Sequence, residues 1–104
     1  MKKVAFKMHV HKGNEEEYKR RHDEIPDDLK QLLKSAGISD YYIFLDEGTG
    51  DLFGVMTIED QKRVDALPQH PEMRKWWTFM KDIMDTNADH SPVSTPLREV
   101  FYLK

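Results

Sequence analysis

The chain has 104 residues, with 16 Lys and Arg set against 19 Asp and Glu for a net charge of −3, which allows one domain with one core. Its basic residues are scattered, so the basic face of a nucleic-acid binder is missing, and no apolar run approaches a membrane span. There is no cysteine, hence no disulfide framework, thiolate nucleophile or thiolate metal site. A reducing cytoplasm is the expected setting. The start, Met1-Lys2-Lys3-Val4, runs into strand-like alternation without an apolar leader. A chain this short buries roughly 60–65% of its unfolded surface, so pairing with a second copy would add useful burial.

Val4, Phe6, Met8 and Val10 alternate with Ala5, Lys7, His9 and His11, which predicts a half-buried strand ended by Gly13-Asn14. Asn14 with Glu17 resembles a capping box opening a helix. Pro26 must break that helix near residues 22–25, because its ring clashes with the carbonyl of residue 22. A second helical segment from Pro26 to about Ala36 carries Leu29, Leu32 and Leu33 and stops at Gly37. Tyr41 to Leu45 and Leu52 to Ile58 read as two hairpin arms around the turn cluster Glu47–Asp51. Glu59 to Ala66 reads as a short helix. Pro71 suits the first position of a longer helix reaching about Met84. Residues 86–96 read as a polar loop or lid, and Val100 to Leu103 as a last strand.

That order predicts a single α+β domain over residues 1–104, the ferredoxin-like split βαβ arrangement with a four-stranded antiparallel sheet. On the hairpin arm, Tyr41, Ile43 and Leu45 alternate with Tyr42 and Phe44, so both sheet faces need cover. A homodimer packing sheet to sheet, a dimeric α+β barrel, would supply it.

On the first helix, Tyr18, His22, Ile25 and Leu29 share one face at 3.6 residues per turn. An aromatic hydroxyl and an imidazole thus stand one turn apart on the apolar stripe. Such a pair is either a satisfied core contact or an acid/base site, since histidine exchanges protons near neutrality. In the later helix, Met73, Trp77, Met80 and Met84 form one stripe, with Trp76 about 100° around beside Phe79 and Ile83. Two adjacent tryptophans cannot both point down the same radius. They suit a flat apolar ligand or the C–H face of a sugar ring. His9 and His11 share a strand face, but no third metal ligand has a suitable spacing. His70, His90 and the run Lys19-Arg20-Arg21 read as surface groups, with Arg21 able to reach inward near the helix break.

Tyr18-Lys-Arg-Arg-His22, Tyr42-Ile-Phe-Leu-Asp46, Trp76-Trp77-x-x-Met80-x-Asp82-x-Met84, Ser91-Pro-Val-Ser94 and Glu99-Val-Phe-Tyr-Leu103 occur in one order along the chain. Together they resemble the L-rhamnose mutarotases over essentially the whole length. The resemblance implies a cytoplasmic, cofactor-free homodimer of ferredoxin-like protomers that interconverts the α and β anomers of L-rhamnose. It implies that His22 is the proton donor and that Tyr18, Tyr41, Trp76 and Trp77 bind the sugar. No metal, nucleic acid or membrane is implied. The same architecture also resembles cofactor-free oxygenases and lactone isomerases, and a non-catalytic sugar-binding module is a further alternative.

Overall fold

The computed structural model describes residues 1–104. Strand β1 (Lys2–His9) leads into helices α1 (Glu15–Asp23) and α2 (Asp27–Ser35), then strands β2 (Ile38–Asp46) and β3 (Asp51–Ile58). Helix α3 (Gln61–Asp65), a 3₁₀ turn at Leu67–Gln69, helix α4 (Pro71–Met80) and a short strand β4 (Thr95–Leu97) follow. All pairings are antiparallel, in the order β2-β3-β1-β4. The split βαβ order predicted from the sequence is the one observed.

Register sorts the sheet into two kinds of rows. Ile43 faces Gly54, which faces Phe6, and Leu45 faces Leu52, which faces Met8. These apolar rows lie under the helices. Tyr42, Val55, Ala5 and Leu97 form an opposite-face row, and Phe44, Phe53, Lys7 and Thr95 another. Tyr42 and Phe44 are 57% and 59% exposed and stack with ring centroids 6.0 Å apart. The inner face carries two clusters. Met8, Val10, Tyr18, Leu52, Met80, Ile83 and Met84 form one. Leu29, Ala36, Ile38, Ile58, Leu67 and Met73 form the other, and Trp76 packs against both.

Four expectations need correction. Val100 to Leu103 form no strand. The edge of β1 is taken by Thr95–Leu97 instead, and Pro96 is tolerated because an edge strand can spare an N–H. Helix α4 ends at Met80 rather than Met84. Beyond it Ile83 accepts the N–H of His11 at 2.8 Å and Met84 bridges Val10, so pairing with the end of β1 wins over further helix. Ile83 and Met84 still reach the core, but from an extended segment. Asn14 makes no side-chain cap, its backbone standing at φ −109°, ψ 13° rather than in the extended conformation usual for a capping residue, and the Glu17 carboxylate is drawn into ion pairs with Arg20 and Arg21. Finally, β2 does not alternate evenly. Ser39 faces Thr57 and Tyr42 faces Val55, so β2 has one residue too many at Asp40–Tyr41, with Asp40 at φ +48°. This bulge reverses parity, so Ile38 and Tyr41 point to the same inner side.

Candidate active site

The break before Pro26 shapes the site first. Helix α1 closes with Glu24 donating to the Arg20 carbonyl and Ile25 to that of His22, and Pro26 begins the next helix as its cap. His22 therefore sits in the last turn of a short helix, over the open end of the layer between helices and sheet. Its Nδ1 lies 2.9 Å from the Tyr18 carbonyl oxygen. That oxygen can only accept, so Nδ1 carries the hydrogen and Nε2 keeps its lone pair. The imidazole is stacked on the Tyr18 ring, centroids 4.3 Å apart, and its edge meets Trp76 at 5.2 Å and 89°. Two aromatic rings and one carbonyl thus fix its orientation.

The other wall comes from the sheet. The bulge turns Tyr41 inward, where its ring meets Phe6 edge-on at 6.1 Å. Phe6 lies directly across Gly54, where an added Cβ would stand 2.5 Å from Phe6 Cζ. Glycine is required there for the ring to occupy the strand surface. Trp77 lines the same cavity but packs with the second cluster, one step away from His22. The resulting cavity encloses about 890 Å³ between helices and sheet. The segment 90–94 borders its mouth through His90, Ser91, Pro92 and Ser94. His90 Nδ1 is 3.2 Å from Thr78 Oγ1 on α4, which ties that segment to the tryptophan helix.

Burial sets the protonation states. It pushes the His22 pKa below its usual 6.5, opposed by the Tyr18 carbonyl and by Asp23. Burial raises Tyr18, with the neighbouring Tyr41 adding to it, and burial alone raises Tyr41. Although Tyr41 is 38% exposed as a residue, its phenol is the enclosed part, since the ring turns into the cavity. Other charged groups on the cavity wall are Glu15, Glu16, Lys19 and Asp23 of α1, Lys30 of α2 and Glu47 after β2. No carboxylate pairs with His22. At neutral pH the pocket presents one neutral imidazole with a free Nε2, two protonated phenols and broad indole surface. Such a set can pass one proton and hold a polyhydroxylated ring.

Of the five residues singled out from the sequence, His22 is in ring contact with both Tyr18 and Trp76, and Tyr41 and Trp77 stand around them on the same cavity. Sequence reasoning missed Phe6 and Gly54. A glycine inside the predicted strand Leu52–Ile58 was the available signal, because it marks a close approach. His9 and His11 part company, His9 lying 3.4 Å from Asp51 and His11 3.0 Å from Asp85. No three His, Asp or Glu side chains converge on a common point. His70 caps α4, its Nδ1 accepting the Glu72 N–H at 3.2 Å.

The profile of the L-rhamnose mutarotase family matches residues 3–103. Among similar proteins, the L-rhamnose mutarotase of Rhizobium meliloti is 54% identical over the full length of both chains. That of Sinorhizobium medicae is 53% identical, again over the whole of both. The crystal structure of an L-rhamnose mutarotase from Formosa agariphila superposes with a TM-score of 0.93 at 46% identity, covering both chains completely. An antibiotic biosynthesis monooxygenase shares the fold at a TM-score of 0.62, but only 11% of its sequence, over 94% of this chain and 97% of its own. The full-length matches and the matching profile together assign this chain to the L-rhamnose mutarotase family.

Proposed function

We propose that this protein is a mutarotase interconverting the α and β anomers of L-rhamnose, with His22 as its proton-transfer group. The observation that carries it is the locked imidazole: Nδ1 bound to a main-chain carbonyl, Nε2 free, and aromatic rings on two sides. Ring opening breaks the O1–H bond and the C1–O5 bond, and forms C1=O1 and O5–H. Neutral His22 takes the O1 proton at Nε2, and the imidazolium then delivers it to O5. Its Nδ1–H bond to the Tyr18 carbonyl strengthens while the ring is charged. Rotation about C1–C2 and the reverse sequence close the other anomer. Protons balance within one residue, so His22 serves as base and donor in turn. A well-placed acid/base group contributes ~10²–10⁴-fold.

Tyr18 and Tyr41, kept protonated by burial, donate hydrogen bonds to sugar hydroxyls. Trp76 supplies a stacking floor beside the reacting end, and Trp77 extends it. The 6-deoxy end of rhamnose suits a cavity whose wall is largely apolar. The working form in this reading is a cytoplasmic homodimer. It is supported by the apolar rows through Tyr42 and Phe44 and by Val100, Phe101, Tyr102 and Leu103, all at least 71% exposed in the single chain for the last four. A monomer of Tyr42→Glu/Phe44→Glu in light scattering, against a wild-type dimer, checks the assembly.

Magnetisation transfer between the two anomeric protons of L-rhamnose tests the activity. Protein-dependent exchange that is lost in His22→Ala is the expected result. Exchange surviving that substitution would remove His22 from the chemistry, and no exchange in the wild type would remove the sugar reading.

A further inference from the structure

Helix α1 carries His22 yet has little to hold it. Tyr18 is its one buried residue, and the rest of its nine positions are dominated by charge. The second attachment is Arg21, whose side chain is only 10% exposed. Its Nε donates to Glu17 at 2.7 Å on its own helix. Its two terminal nitrogens form a bidentate pair with Asp82, at 2.8 and 3.2 Å, and one of them also donates to the Phe79 carbonyl at 2.8 Å. The guanidinium carbon lies over the Phe79 ring, 4.4 Å from its centroid. Phe79 in turn packs on Trp76 at 5.8 Å, and Trp76 meets His22.

We infer that Arg21 is a positioning residue, which clamps the last turn of α1 to the end of α4 and so holds the His22 imidazole against Trp76. The clamp needs a planar fork. A guanidinium can bind a carboxylate with two parallel bonds while donating to Glu17 and lying over a ring, whereas an ammonium is a compact point charge. The acceptors at the α4 end are main chain and a carboxylate, so they are set by where α4 stops, two residues before Asp82. Without the clamp, α1 is left on Tyr18 alone, and the imidazole that stacks on Tyr18 can swing away from Trp76. Displacements of about 1 Å at a reacting group are enough to lower rates by ~10²-fold.

The inference rests on the sugar-isomerase reading of His22, but its test does not depend on it alone. Two variants serve, Arg21→Lys and Asp82→Asn. The readouts are kcat and KM for L-rhamnose exchange, and the ring-proton resonances of His22 in the free protein, which Trp76 and Tyr18 shift through their ring currents. The expected result is a kcat lower by roughly 10–10²-fold with KM changed by less than about threefold. His22 ring resonances move toward their unstacked positions in both variants, and the double variant is no worse than Arg21→Lys. Folded variants with unchanged kcat and unchanged His22 resonances would overturn the clamp and leave Arg21 a structural brace. Additive losses in the double variant would overturn the pairing as its cause. A wild type without exchange would sink the sugar reading, and the resonances would then decide on the clamp by themselves.

Discussion

Helices α1 and α2 are both nine residues long and separated by three residues, yet they are held in opposite ways. Helix α2 turns Leu29 fully into the second cluster, with Leu32 and Leu33 packed beside it. Helix α1 buries only Tyr18 and relies on Arg21, with Glu17 held so firmly by Arg20 and Arg21 that its pKa falls to about 2. Apolar burial is non-directional, whereas bidentate ion pairs and ring stacking fix angles. In the proposed reading, the helix that must only be present is packed, and the helix that must aim a side chain is clamped. Stability and function should therefore separate between them.

The sharpest way to break that division is His22→Ala, which should cost ~10²–10⁴-fold in the rate of anomer exchange while circular dichroism and Tm stay close to wild type. A large fall in Tm with it would mean that α1 is a core helix after all. Leu29→Ala is the mirror experiment. It should destabilise by about 2–5 kcal/mol, read from urea unfolding, with kcat of the folded fraction unchanged. A kcat loss matching that of His22→Ala would erase the contrast. Gly54→Ala lies between the two. The new Cβ drives Phe6 and with it Tyr41 from their places, at about 1–3 kcal/mol of overpacking, so sugar affinity should weaken along with stability; unchanged affinity would separate Phe6 from the site. The smallest effect belongs to Asp65→Ala. Its hydrogen bond from Gln61 is solvent-exposed, and exposed polar pairs contribute little; rate and Tm should match wild type within error.

Trp76 and Trp77 sharpen the same contrast at the level of adjacent residues. Trp76 touches His22, so its alanine variant should lower kcat as well as sugar affinity. Trp77 packs with the second cluster, so its variant should fall mainly on stability and affinity.

Much of this was legible in the chain. Tyr18 and His22 one turn apart, the Trp76-Trp77 pair and the proline break pointed to residues that meet on one cavity, because a 3.6-residue period and a missing N–H are local properties. What the sequence could not disclose depended on partners distant along the chain. The bulge at Asp40–Tyr41 exists through the register of β2 on β3, and only it explains why Ile38 and Tyr41 share a side. Helix α4 stops early because Ile83 and Met84 find the end of β1. The run Lys19-Arg20-Arg21 reads as a solvated edge from which Arg21 can reach inward, but its partner Asp82 lies sixty-one positions beyond Arg21 and has no local signal. The strand expected at 100–103 was displaced to Thr95–Leu97, since alternation marks a segment fit for pairing without naming the edge that will take it.

Protonation of His22 links the two themes. Burial lowers its folded pKa below 6.5, so between that folded value and 6.5 the unfolded chain binds more protons than the native one. Stability therefore rises with pH across this window, is fully present above it, and shows no further dependence on His22 below the folded pKa. The most direct measurement is the pH dependence of kcat/KM for L-rhamnose exchange, corrected for the uncatalysed rate. A neutral His22 that begins each turnover as a base predicts a rise through an inflection below 6.5 and a plateau above it. A rate highest in acid and falling as pH climbs through that inflection would contradict it, because it would require the imidazolium at the start.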